Sequence, residues 1–500
     1  YITGSGAPIR QTKWRRHCKG VWLMREVKGF ECRGKYKRSK LQAYSDKMSR
    51  ADKTHLWNDT VAHILQEQGF EIKESPRSIY DPEQLWTALE RYSPQFNTFV
   101  DQDDPHIKAG ISAAWKIFAR PKHLEKLKAL RTNDELQTAL KMEKFSGLPN
   151  MTKKSEDFIY AVDRELQVIK GRKSPSPCLA GKRTQKNNKT RLVWMYPLEM
   201  TIMEARFARP LIDTYLERRT TMAFGMSKFT VGGLIDSICF RDNSKKPVAL
   251  DYSKYDSSIP SYLIRQAFKI IGTWFTQEEK DEFGFKIVEN YFINTPIVMI
   301  DGNLYTGKKH GVPSGSYFTQ MIDSIVNTML IMAMSSELRL GIDWRNFLVL
   351  GDDVILALEE PDIQAMATFL ARYGIILNQE KTAFQAHFLG ADWKYGKPHR
   401  NFGEILSNAT QPETFKKMGD TPSERYKNAI ALLVNLAATY SNAWLLLDKR
   451  FHSPKSLNYY ELEVDPKFMT GFAKFEFEEQ KSRFVDKSVD RTTLVARFLK

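Results

Sequence analysis

The sequence predicts an α+β fold, a split β-α-β sheet flanked by largely helical segments. Three observations predict it. From Lys246 the chain reads strand, helix, helix, strand, strand, helix and a trailing strand, once an inserted hairpin near Asp301 is set aside. Residues 46 to about 170 carry helical patterning, and helix returns from about residue 404. A chain of 500 residues exceeds one ordinary domain, so two or three subdomains or one large composite are expected.

In order, residues 1–45 are basic with interleaved aromatics (Trp14, Trp22, Phe30, Tyr36), which reads as an arm wrapping over something. "RADKTHLWNDTVAHILQEQGF" reads as a helix closing at Gly69. "KGRKSPSPCLAGKRTQKNNKTRLVWMYP" breaks the helical pattern at Pro175 and Pro177 and reads as a loop or a pair of ragged strands. Then follow strand "PVALDYS", helix "SYLIRQAFKIIGTWF", and hairpin "PIVMIDGNLYTG" with a favoured Asp301-Gly302 turn. A long helix is expected from about Gly315, then a hairpin around Gly351, a helix between Pro361 and Gly374, and strand "AFQAHFLGADWKYG". The apolar "NAIALLVNLAATYSNAWLLL" reads as helix before a basic, Phe-rich tail.

The formal net charge is +16 and the pI near 9.4. Basic residues cluster at Arg15-Arg16, Lys35 to Lys40, Lys153-Lys154, Lys170 to Lys173, Lys182 to Arg191 and Lys308-Lys309. A polyanionic partner is expected, nucleic acid before membrane, because no amphipathic basic helix of the lipid-binding kind stands out. Cys18, Cys32, Cys178 and Cys239 show no Cys-x-x-Cys or Cys/His spacing, so the pattern points to neither zinc nor a disulfide framework and fits a reducing compartment. No apolar run approaches the ~20 residues that span a bilayer, so a soluble intracellular protein is expected.

The stretch "NFLVLGDDVILALEE" sets Asp352 and Asp353 side by side within an otherwise apolar run. An unpaired buried carboxylate costs several kcal/mol, which calls for a positive partner, a metal ion first. Taken alone, the tripeptide fits a water-facing hairpin tip equally well. A second acidic site in "VALDYSKYDSSIP" shifts the balance: Asp251 ends a strand and Asp256 follows beyond a turn. In a split β-α-β sheet Asp251 and Asp352 fall on adjacent central strands, a geometry that holds two divalent ions ~4 Å apart. Between them, a helix from Gly315 would align Thr319, Asp323 and Asn327 as a polar stripe facing either solvent or a substrate. The Ser314-Gly315 bend would let mobile backbone approach a ligand closely.

"LDYSKYD", "PSGSYFTQMIDSIVN" and "LGDD", in that order, resemble the three central palm motifs of viral RNA-dependent RNA polymerases. The middle one resembles the form found in small double-stranded RNA viruses, the partitivirus and picobirnavirus group. The likeness is sharpest from about Lys182 to Trp393. It implies a right hand: an arm over 1–45 linking fingers to thumb, fingers over 46–245, a palm over 246–403 with a fingers insertion at 276–305, and a thumb and tail over 404–500.

The resemblance also implies roles. Asp251 and Asp352 would ligate two Mg2+ ions, for which Mn2+ can substitute, with Asp353 assisting. Asp256 would sit near the ribose 2′-hydroxyl, with Ser314, Gly315 and Thr319 around it; Asp323 stands where picornavirus-like enzymes usually have Asn. The segment "GKRTQKNNKTRLVWMYP" resembles the basic fingers motif over the nucleotide channel, so Arg191 would contact the triphosphate while Lys182, Arg183 and Lys189 add field. In "FSGLP", Ser146, Gly147 and Pro149 match the short motif that meets template. Lys381 in "GIILNQEKTAF" matches the lysine that protonates departing pyrophosphate, and "FLGADW", Phe388 to Trp393, a strand supporting the primer end.

Expected partners are an RNA template and product, ribonucleoside triphosphates and a viral capsid protein, with no membrane; the expected location is the virion interior and the host cytoplasm. A reverse transcriptase shares the palm, but its turn resembles Tyr/Phe-x-Asp-Asp and a bulky residue blocks the 2′-hydroxyl. A basic, non-catalytic RNA-binding protein associated with a capsid is the rival from another class.

Overall fold

The computed structural model describes residues 25–415 and 417–440. The first part holds strand β1 (Glu31–Lys35) and helices α1 (Leu41–Met48), α2 (Asp59–Glu67), α3 (Glu83–Glu90), α4 (Pro105–Phe118), α5 (Asn133–Ala139) and α6 (Lys154–Ile169). Each start has a local cause. The Asn58 side chain accepts from Val61 N at 3.2 Å, so α2 begins there and residues 50–58 of the predicted helix stay non-helical. Asp104 caps α4 with Pro105 in its first turn, and Thr132 with Glu135 forms a capping box on α5.

The segment expected as a loop or ragged strands is a regular antiparallel pair, β2 (Cys178–Gln185) and β3 (Lys189–Met195), in register from Leu179 opposite Met195 to Gln185 opposite Lys189. Asn187 and Asn188, at φ +61° and +54°, make the tight reversal, and asparagine tolerates that region well. Next come α7 (Leu198–Glu217), α8 (Lys228–Cys239), β4 (Lys246–Leu250), β5 (Tyr252–Ser253), α9 (Tyr255–Ser258), α10 (Ser261–Gly272), α11 (Gln277–Glu282), α12 (Phe285–Ile293), β6 (Ile297–Val298) and β7 (Asn303–Thr306). The predicted Asp301-Gly302 hairpin joins β6 to β7, in a sheet of order β1-β7-β6-β2-β3.

The third part holds α13 (Thr319–Leu338), β8 (Phe347–Leu350), β9 (Asp353–Leu358), α14 (Ile363–Ala371), β10 (Ile376–Leu377), β11 (His387–Phe388), β12 (Ala391–Lys394), β13 (Lys397–His399), α15 (Phe402–Thr410) and α16 (Pro422–Thr439). A central sheet runs β4-β9-β8 with β9 antiparallel to both neighbours. Thus β4 and β8 are parallel with one strand between them, the predicted split β-α-β arrangement. The expected trailing strand is instead broken into β11 and β12, which pair with each other, and β12 pairs in turn with β13.

Two further expectations change. Helix α13 starts at Thr319 rather than Gly315, because residues 313–318 form turns fixed by the buried Glu204 on α7: it accepts from Ser316 Oγ and from Tyr317 N, both at 2.8 Å. Lys308, counted among the basic clusters, is buried. Its ammonium donates to the carbonyls of Phe292, Ile293 and Gly311 at 2.7, 3.0 and 2.8 Å, so it ends α12 internally and adds nothing to the surface field.

The main core surrounds α13, with Ile322, Ile325, Val326, Met329 and Leu330 all buried. A separate apolar cluster joins α2 (Val61, Ile64, Leu65) to α15 and α16 (Ile405, Leu406, Ala429, Ile430, Leu433). The described part of the expected arm is tied by β1 to β7. Trp14 and Trp22 of that arm, Cys18, and the Phe-rich tail lie outside the described residues.

Candidate active site

The register of the central sheet brings the two acidic segments together. Leu250 pairs with Val354 and Leu350 with Asp353, so Asp251, one step past Leu250, and Asp353, one step before Val354, follow as the next opposed positions. Opposed residues of an antiparallel pair have Cα atoms roughly 5 Å apart. Asp352 sits in the β8–β9 turn, exposed, while Asp251 and Asp353 are half-buried.

Helix α13 holds that turn from beneath. Gly351 N donates to Ser324 Oγ at 2.9 Å, and Asn327 Nδ2 donates to Gly351 O at 2.9 Å. Asn327 Oδ1 accepts from Tyr252 Oη at 3.0 Å, so the residue after Asp251 is bound to the same amide. Tyr252 stacks on Tyr255 with ring centroids 5.1 Å apart, and Tyr255 Oη donates to the Asp323 carbonyl at 3.1 Å.

The carboxylates repel one another. Burial, then the charge of Asp352, raises Asp256 to about 6, with Arg191 opposing. Burial and Asp352 likewise raise Asp353 to about 6, with His387 opposing. Asp323 is buried, its Oδ1 has no hydrogen-bond partner among the described residues, and burial followed by Asp256 and Asp352 lifts it well above the ordinary range. A neutral Asp323 can donate a hydrogen bond, as the Asn at that position in picornavirus-like enzymes can.

Of the predicted basic residues, Lys189, Arg191 and Lys381 come to this centre. Lys189 is lowered by burial and then by Arg191, Lys381 and Arg91, while Asp251 pulls the other way. Asn378 N donates to Asp251 O at 2.8 Å, and Thr382 Oγ1 to Asn378 O at 2.9 Å, so the turn bearing Lys381 is docked on the Asp251 strand. Lys182 and Arg183, being consecutive in a strand, face opposite ways. Lys182 Nζ lies 3.7 Å from the Tyr80 ring centroid, and Arg183 Nε donates to Glu413 Oε2 at 3.1 Å.

Ser314 is exposed and its Oγ accepts from Trp194 N at 3.4 Å. A Cβ on Gly315 would lie 1.8 Å from the Trp194 carbonyl, so glycine is required there by the close passage of β3. Thr319 Oγ1 donates to the carbonyls of Pro313 and Ser316 at 2.7 and 3.0 Å. Ser146 is fully buried and donates its N–H to Thr152 O at 2.9 Å, while Gly147 lies against the Tyr196 carbonyl and Pro149 follows a cis bond; the three belong to a turn packed on the Tyr196-Pro197 link between β3 and α7.

Sequence reasoning missed Ser324 and Asn327 as positioning residues, although both stand in the quoted "MIDSIVN", and it missed Glu204. It also missed Arg91, half-buried at the end of α3 beside Lys189 and Lys254, with no ion pair among the described residues.

Among the described residues no three His, Cys, Asp or Glu side chains form a ready-made metal cage. Mg2+ asks for less: one or two carboxylates, with substrate phosphates and water completing its shell. Crowded carboxylates that raise one another suit that donor set.

The split sheet, its carboxylate turn and the basic strand pair across from it define the fold of a right-hand nucleic-acid polymerase. The RNA-dependent RNA polymerase of a human picobirnavirus has this fold, with a TM-score of 0.64 and 17% identity over 89% of this chain and 96% of that one. Its insertion-loop deletion mutant gives 0.62 and 16%, over 89% and 93%. Residues 176–402, just under half of the chain, match the family described as viral RNA-dependent RNA polymerase. The RNA-directed RNA polymerase of Cryptosporidium parvum virus 1 (strain KSU-1) is 31% identical over 172 residues, 33% of this chain and 31% of the relative. The chain thus aligns with about a third of that curated relative's length.

Proposed function

We propose that the protein copies RNA, adding ribonucleoside monophosphates to an RNA 3′ end and releasing pyrophosphate. The observation that supports this best is the convergence of Asp251, Asp352 and Asp353 opposite Lys189, Arg191 and Lys381. In this reading the primer 3′-hydroxyl gives up its proton to water and attacks the α-phosphorus, a new P–O bond forms as the bond to the bridging oxygen breaks, and Lys381 gives a proton to the departing pyrophosphate. Asp251 and Asp352 would hold divalent ions, Mg2+ or Mn2+, with Asp353 assisting; such ions supply charge neutralisation and a more acidic 3′-hydroxyl. Arg191 and Lys189 bind the triphosphate, a planar fork suiting phosphate oxygens best. Asp256, with Ser314, Thr319 and a neutral Asp323, reads the ribose. Gly315 acts by letting β3 pass close behind the loop.

We assign 46–245 with 276–305 to fingers, the rest of 246–403 to palm and the segment from 404 to thumb, with the 145–149 turn beside the template path. The capsid partner and the location in virion and host cytoplasm belong to the same proposal. Incorporation of ribo- and deoxyribonucleotides by wild type and Asp352→Ala tests it. The expected result is ribonucleotide incorporation lost in the variant. RNA binding with steep salt dependence and no incorporation by the wild type would identify a basic binding protein; equal use of deoxyribonucleotides would favour a reverse transcriptase.

A further inference from the structure

We propose that the cavity between α4, the second half of α13 and the turn before β8 binds a nucleoside 5′-phosphate, as a free mononucleotide or as the end of an RNA. Its volume is about 490 Å3, within the ~300–1,000 Å3 of small-molecule sites. Ile117 and Met332 give it an apolar floor, Trp344 a half-exposed indole wall, and Lys116, Arg218 and Arg219 a basic rim.

The rim is built for an anion. None of the three cations makes an ion pair or a side-chain hydrogen bond among the described residues. The carboxylate in the lining, Asp343, is bound by Arg345, whose Nε and N–H both donate to Oδ1 at 2.9 Å, and Arg219 adds only a weaker pull from its charge. Arg218 is fixed in advance: its guanidinium lies 5.2 Å from the Trp274 ring, and that indole donates to Phe118 O at 2.9 Å. Arg219 lies 6.0 Å from the Trp344 ring. Two guanidinium groups at one rim can grip a phosphate through bidentate contacts.

A phosphate alone leaves the apolar floor uncovered and the Trp344 indole flanked by Arg219 and Arg345, at 6.0 and 5.8 Å from its ring. A base stacked on Trp344 uses both, and base–aromatic stacking tolerates any base. The cavity is not the catalytic centre. It opens at the start of β8, and the four residues of that strand separate it from the Asp352 turn, roughly 13 Å at the strand rise.

Photo-crosslinking of the full chain with 8-azidoadenosine 5′-monophosphate, mapped by mass spectrometry, tests the assignment. Adducts are expected on peptides carrying Met332 or Trp344, displaced by adenosine 5′-monophosphate and far less by adenosine or inorganic phosphate. Lys116→Met and Arg219→Gln, both exposed, should each cut this labelling on the order of tenfold while melting temperature stays unchanged; Arg218→Gln should do the same with its fold checked by melting. Stronger displacement by a 5′-phosphorylated RNA oligomer than by the mononucleotide identifies an RNA end, and the reverse order a free nucleotide. No adduct on these peptides, labelling unchanged in the exposed variants, or displacement by inorganic phosphate equal to that by the mononucleotide would overturn the proposal.

Discussion

The side-chain amide of Asn327 donates to the carbonyl of Gly351 across 2.9 Å. Its oxygen also accepts from Tyr252 at 3.0 Å, so one buried residue binds the position before Asp352 to the position after Asp251. Asn327→Ala leaves both partners unsatisfied in the interior and should cost about 2–3 kcal/mol. Incorporation should fall at temperatures where the variant is still folded, because the two acidic segments lose their common brace. Melting curves and single-turnover rates on the same preparations check both halves.

Asp353 is held near 6 by burial and by Asp352. Because this lies above its unfolded value of 3.8, the group's contribution to stability is full below that pH and is lost as pH rises through about 6. Metal-free Asp353→Asn should therefore melt above the wild type at pH 7, and the gap should close at pH 4. Activity should move the opposite way, falling in the variant. A melting gap independent of pH would contradict this account.

Glu204 gives a cleaner titration because it lies away from the carboxylate centre. Burial raises it from 4.5 to about 8, against the bonds from Tyr317 N and Ser316 Oγ. Stability is then greatest below 4.5 and declines until about pH 8, at up to about 1.4 kcal/mol per pH unit. Glu204→Gln keeps the shape and removes the titration. Chemical denaturation from pH 5 to 8 should show a shallower slope in the variant than in the wild type.

Asp256 follows Asp251 by five residues and sits beside Asp323 and Arg191. Asp256→Ala should relax discrimination against deoxyribonucleotides more than it weakens the dependence on Mg2+. Paired titrations of each nucleotide and of the ion measure the two effects, and equal losses would remove Asp256 from ribose recognition.

The acidic residues are legible because carboxylates inside apolar strands stand out, the strand–helix order is compatible with a split sheet, and the likeness of three ordered motifs joins the two. Other features depended on information that a linear pattern does not carry. Lys182 and Arg183 belong to one basic run, yet strand alternation sends one to Tyr80 and the other to Glu413. Lys308 looks like half of a surface pair until three carbonyls at the end of α12 are found around it. Gly315 reads as a mobile hinge, whereas its lack of a side chain makes room for Trp194. Asn327 and Ser324 act on the backbone of Gly351, so nothing in the identity of their target marks them.

The cluster of Val61, Ile64 and Leu65 with Ile405, Leu406, Ala429, Ile430 and Leu433 bolts an early helix to two late ones. Full burial of each large aliphatic side chain is worth about 1.5–3 kcal/mol, so prising these helices apart would expose a small core at prohibitive cost. The α2 segment accordingly stays fastened to α15 and α16, so stretches of chain far apart in sequence move as one unit.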